Sequence, residues 1–199
     1  MRTVEINLYK FEELSEKSKK VTIEYFRKNG RTSEPLLFFK EYCEEQALEL
    51  GFYGTVFQYS LSYSQGDGLS FTFESYNNME KLFNQLLGEG KAKTAKVICD
   101  YVIFFRKGGN NRRYCYASDT DIELVLDSYG YGSASYVNVP EIVLRAERRI
   151  KVDYMMLCER LEKEGYEILE EYNSDEAIIE DILSYEFEFT ADGKIYVEI

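Results

Sequence analysis

The sequence predicts an α+β fold in one domain spanning residues 1–199: an antiparallel sheet with helices packed mainly on one side, a long C-terminal helix and a terminal β-hairpin. Three observations predict it. Val56 to Glu74 (VFQYSLSYSQGDGLSFTFE) alternates apolar and polar residues in two arms around a turn-rich centre, which is a hairpin pattern. From Pro140 apolar residues recur at steps of three or four, so residues 139–183 read as mostly helical. Strands at both ends and about five helices do not alternate as a doubly wound sheet requires.

In chain order, Thr3 to Tyr9 alternates weakly and is predicted as a first strand. Ser15 is a helix cap; the helix runs to Lys28 with Leu14, Val21, Tyr25 and Phe26 on its apolar side, and Asn29-Gly30 stops it. A second helix is predicted from Ser33 or Glu34 to Glu49, with Leu37, Phe38, Tyr42, Cys43 and Leu48 buried, and Gly51 ends it. In the hairpin that follows, Phe57, Tyr59, Leu61 and Tyr63 face the same side as Leu69, Phe71 and Phe73. Between the arms, Gly66 and Gly68 can take positive φ and Asp67 can bond its own backbone.

Asn77 or Asn78 caps a helix ended by Gly88; in Lys91 to Phe105 a buried strand would fit the last part, but the length and Ala-Lys opening favour another helix. Gly108 to Asn111 breaks the chain. Arg112 to Ala117 and Ile122 to Leu126 read as a strand pair turning at Ser118 to Asp121, and Ser128 to Val139 as a polar, aromatic loop. The long helix reaches Glu164, Gly165 ends or bends it, and Tyr166 to Tyr172 continue. Ser174 starts a short helix with Ala177, Ile178, Ile179 and Ile182 against the core, and a last hairpin turns at Ala191-Asp192-Gly193.

Composition narrows the chemistry. With 45% hydrophobic residues and two prolines among 199 residues, the chain is a folded globular protein. It has 18 Tyr, 13 Phe and no Trp, which gives a core and surface rich in ring contacts. There is no histidine, which excludes Ser-His-Asp and Cys-His nucleophile systems and histidine metal ligation. Cys43, Cys99, Cys115 and Cys158 form no C-x-x-C pair, so reduced thiols are expected and a zinc knuckle is not. No signal peptide or membrane span is expected, no catalytic signature stands out, and no cofactor or metal is implied. A carboxylate-bound metal near Asp67, joined by Glu74 or Asp175, is the enzymatic alternative; Asp119 and Asp121 lack the remaining ligands of a calcium loop.

Charge is unevenly placed. The net charge is −12, yet residues 159–192 carry 13 Asp+Glu against 2 Lys+Arg. The candidate partner-binding residues are therefore Glu167, Glu170, Glu171, Asp175, Glu176, Glu180 and Asp181, since a run of carboxylates competes for a basic channel. Gln65, Gly66, Asp67 and Gly68 are the ligand candidates at the hairpin turn. Two basic regions, one around Lys91 to Arg113 and one at Arg145 to Lys151, raise direct nucleic-acid binding, which the overall charge opposes.

Three segments carry a resemblance: LYKFEELSEKSKKVTIEYF at Leu8 to Phe26, YSLSYSQGDGLSFTFE at Tyr59 to Glu74, and NSDEAIIEDILSYEFEFTADGK at Asn173 to Lys194. Together they resemble a family of small, largely uncharacterised phage and prophage proteins, with Leu69 where a small residue is common and Tyr63 where the family often has tryptophan. The resemblance implies an accessory protein in the host bacterial cytoplasm that inhibits a host protein or ribonucleoprotein complex, in the manner of an anti-CRISPR. It carries no catalytic residues. An antitoxin-like regulator neutralising a partner protein is the alternative reading, and a homo-oligomer is open to either.

Overall fold

The computed structural model of the chain describes residues 5–29, 34–73, 101–107, 115–126 and 141–196. The fold is α+β: helices α1 (Glu16–Asn29), α2 (Phe39–Glu49), α3 (Glu141–Tyr172) and α4 (Asp175–Ser184), with strands β1 (Val56–Ser60), β2 (Gly68–Thr72), β3 (Tyr101–Lys107) and β4 (Thr120–Leu126). Both strand pairs, β1 with β2 and β3 with β4, are antiparallel. The described residues form two compact units, 1–37 with 167–199, and 38–166.

In the first unit, Ser15 caps α1, its Oγ accepting from the Ser18 amide at 3.2 Å. The core joins Phe11, Leu14, Ile23 and Phe26 to Ile178 and Ile182 of α4 and to Phe189. Val21 and Tyr25, expected inside, are exposed, while Ser18 and Thr22 are buried. The reason is the terminal hairpin. It turns at Gly193 (φ +84°), and a Cβ there would lie 2.4 Å from the Ser18 carbonyl, so the turn seats directly on α1. The Thr22 hydroxyl donates to the Gly193 carbonyl at 2.8 Å, and Ser18 Oγ donates to the Ala191 carbonyl at 2.7 Å. Small polar residues therefore satisfy the carbonyls of a turn that apolar ones would leave unpaired. The hairpin itself is short: Thr190 N–H donates to Lys194 and Tyr196 N–H to Glu188. Of the predicted first strand, the described part contributes one bridge, Tyr9 to Phe189, and Ile6 is exposed; a short 3₁₀ turn at Phe11–Glu13 takes the chain to α1.

Ser174 caps α4 as expected, accepting from the Ala177 amide at 3.2 Å. Arg27 ties α1 to this corner through Asp175 and the Asn173 carbonyl.

In the second unit, α2 starts at Phe39 and not at Ser33 or Glu34, because the chain is still turning at 35–38. Its buried face is Phe39, Cys43 and Ala47, each one turn apart, so Leu37, Phe38, Tyr42 and Leu48 are exposed instead of buried. Lining up Phe39 brings its ring edge-on to Tyr59 of β1, centroids 5.2 Å apart. The β1–β2 register pairs Phe57 with Phe71 and Tyr59 with Leu69, and Phe57, Leu61, Leu69, Phe71 and Phe73 are buried as predicted. Tyr154 of α3 reaches the free edge of β2. Its hydroxyl donates to the Phe71 carbonyl at 3.0 Å and accepts from the Phe71 amide at 3.1 Å, which closes that edge.

Two expected elements differ. Tyr101 to Lys107 is a strand, not the end of a helix, and it pairs with Thr120–Leu126; of the expected strand Arg112 to Ala117, the described residues 115–117 are not in a strand. The β-branched and aromatic run YVIFF outweighs the helix-forming opening, and 117–119 folds into a 3₁₀ turn that leaves β4 free to find β3. Residues 74–100 and 127–140, with the helix expected at Asn77 to Gly88 and the loop at Ser128 to Val139, lie outside the described residues, as do Arg112 to Tyr114.

Gly165 does not end the long helix, which runs unbroken for 32 residues. A Cβ on it would lie 2.4 Å from Leu61 Cδ1 and 2.9 Å from Phe39 Cζ, so its role is to let the hairpin and α2 approach α3. Among the described residues no helix is long and apolar enough to cross a membrane.

Candidate functional site

The loop between β1 and β2 is built around one carboxylate. Ser60, Ser62 and Ser64 recur at every second position, and their hydroxyls all donate to Asp67 Oδ1, at 2.8, 3.0 and 3.0 Å. Oδ2 accepts from the Ser62 and Ser64 amides at 2.6 and 3.0 Å and from the Tyr166 hydroxyl at 2.8 Å. Six donors meet a group with about four lone-pair directions, so the carboxylate is saturated. Half-burial by itself raises the Asp67 pKa, but the Ser64 amide and the Tyr166, Ser60 and Ser62 hydroxyls outweigh it and hold the group well below the usual carboxylate range.

Only one of the two glycines uses positive φ: Gly66 at +102°. Gly68 opens β2 opposite Ser60, and its Cβ would lie 3.1 Å from the Cys115 carbonyl, so it is there for close approach. Tyr63 takes the left-handed conformation instead, at φ +56°, which is unusual for an aromatic residue. Its ring lies against Tyr166, centroids 4.9 Å apart, and stays 66% exposed. Burial, followed by the bond to Asp67, pushes the Tyr166 phenol up to about 12. Gln65 is exposed at the tip.

The acidic candidates all lie in the first unit. Glu167, Glu170 and Glu171 share one side of the last turns of α3 by their spacing, and all three are exposed. Glu176 and Glu180, one turn apart on α4, are exposed as well. Asp175 is exposed and paired with Arg27, and Asp181 is half-buried. The described residues of this unit carry 16 Asp+Glu against 7 Lys+Arg. Of the basic candidates in α3, Arg145 and Arg148 pair with Glu141, Arg149 with Asp153 and Lys151 with Glu147. Among the described residues no three His, Cys, Asp or Glu side chains converge as a metal site would require.

Compared with protein families, with curated proteins and with solved structures, the chain matches none.

Asp67 is legible in the sequence, but not all of the partners that define it are. The serines were readable from their alternation ahead of an Asp. Tyr166 was not, because it arrives from a helix 99 residues away.

Proposed function

We propose that the chain is a phage-encoded, non-enzymatic binding protein that inhibits a host factor, a nucleic-acid-processing defence complex of the CRISPR-effector kind, through its acidic surface. The observation that supports this reading is the exposure of Glu167, Glu170, Glu171, Glu176 and Glu180 in one compact unit with a large acidic excess. Enzymes that process nucleic acid hold it in basic channels, and a ribbon of carboxylates fixed on helices competes for those channels by charge. The saturation of Asp67 speaks for a structural turn and against the carboxylate-metal alternative, since a ligating oxygen needs a lone pair to offer.

The experiment is an interference assay in host cells, with the chain or a variant carrying Glu167→Gln, Glu170→Gln, Glu171→Gln, Glu176→Gln and Glu180→Gln. Asp175 is left in place because it holds Arg27. The wild-type chain relieves interference and the variant does not. Equal relief by both ends the acidic-surface reading.

A further inference from the structure

Beside the saturated carboxylate lies a surface that the acidic-segment reading does not use. Glu159, Glu162 and Tyr166 stand at i, i+3 and i+7 on α3, which places the two carboxylates on the same side of the helix as the Tyr166 ring. Tyr166 in turn holds the Asp67 loop and packs against the exposed ring of Tyr63. Glu162 is half-buried, and among the described residues no hydrogen bond or ion pair reaches it. Its carboxyl is pushed up, first by burial and then by the charges of Asp67 and Glu159, so among the described residues negative charge gathers here with no cation paired to it.

The backbone at Tyr63 is also held in place. A left-handed aromatic residue persists only where its surroundings fix it, and here the serine-Asp67 network fixes the loop on both sides of it. A pair of packed tyrosine rings beside a carboxylate that no described cation pairs with complements a flat cation. A guanidinium stacks on a ring face and donates two parallel hydrogen bonds to a carboxylate; an ammonium offers only a point charge.

We propose that Tyr63, Tyr166 and Glu162, with Glu159 at the rim, form a docking site for an arginine side chain presented by a protein partner. All four residues belong to the second unit and none is among the acidic candidates Glu167 to Glu180, so the two sets of residues can be mutated separately.

The test is fluorescence anisotropy of a labelled peptide carrying a run of arginines, and of the same peptide with lysines, titrated with the full chain. The arginine peptide binds at least about fivefold more tightly than its lysine counterpart. Glu162→Gln and Tyr63→Asn each weaken it by about tenfold. Asn tolerates the left-handed backbone, so Tyr63→Asn removes the ring without straining the loop. The variant with five Gln in the acidic segment retains the arginine preference, which separates failure of this site from failure of the acidic-surface reading. In the wild-type chain, the arginine side-chain protons shift upfield in the NMR spectrum as they enter the ring currents of Tyr63 and Tyr166. Equal binding of the two peptides, insensitivity to both substitutions, or absence of the upfield shift overturns the proposal.

Discussion

Asp67 shows how one residue can fix a loop and how pH reports on it. Its pKa is lowered in the folded chain, so between the folded and unfolded values the unfolded chain binds the extra proton. The stability it contributes is complete above about pH 4 and is lost as pH falls toward the folded value. Asp67→Asn should flatten this acid limb in urea melts, and amide exchange at Ser62 and Ser64 should speed up by about tenfold. Buried thiols act at the other end of the scale. Burial pushes Cys43 and Cys158 up to about 12, so the folded chain keeps protons that the unfolded chain releases above about pH 8.5. Stability should therefore fall as pH rises from there toward 12, and Cys158→Ala should make that fall shallower. Gly193 is a third single-residue control point. Gly193→Ala meets both a left-handed φ and the Ser18 carbonyl, and should cost about 2–3 kcal/mol in chemical denaturation.

Elements are where sequence and structure part, and the physical reasons differ from case to case. The hairpin was legible because period-two alternation survives whatever packs on it, and the caps at Ser15 and Ser174 were legible because capping is local. The α2 face was not: Phe38 and Phe39 are equally apolar, and the positions of Tyr59 and Gly165 decide which goes inside. Phe39→Ala should accordingly cost about 3–5 kcal/mol, while Phe38→Ala stays within about 0.5 kcal/mol, read from denaturation midpoints. Gly165 illustrates the same limit, since a packing glycine and a helix-ending glycine are identical in sequence. Gly165→Val should destabilise by about 2–3 kcal/mol although valine is the better helix former, and Leu61→Ala in the same chain should recover part of that loss. The candidate site was half legible. Asp67 and the acidic run stand out as residues, but the rings and carboxylate that gather around Tyr166 depend on which strand loop meets which turn of α3.

At the scale of the molecule, acidic residues outnumber basic ones among the described residues of both units, and the excess is larger in the first. The described residues of the first unit are strongly acidic and present their carboxylates outward, while the basic residues of α3 are answered by neighbours on the same helix. The reading as an inhibitor of a nucleic-acid-processing complex stands or falls with that asymmetry. The most direct measurement is affinity capture from host lysate at low and raised salt, with partners identified by mass spectrometry, comparing the wild-type chain with the variant carrying five Gln. One nuclease or effector subunit should be captured at low salt, released as salt rises and absent with the variant. Capture of the same partner by both proteins, or of no specific partner by the wild-type chain, would contradict that reading.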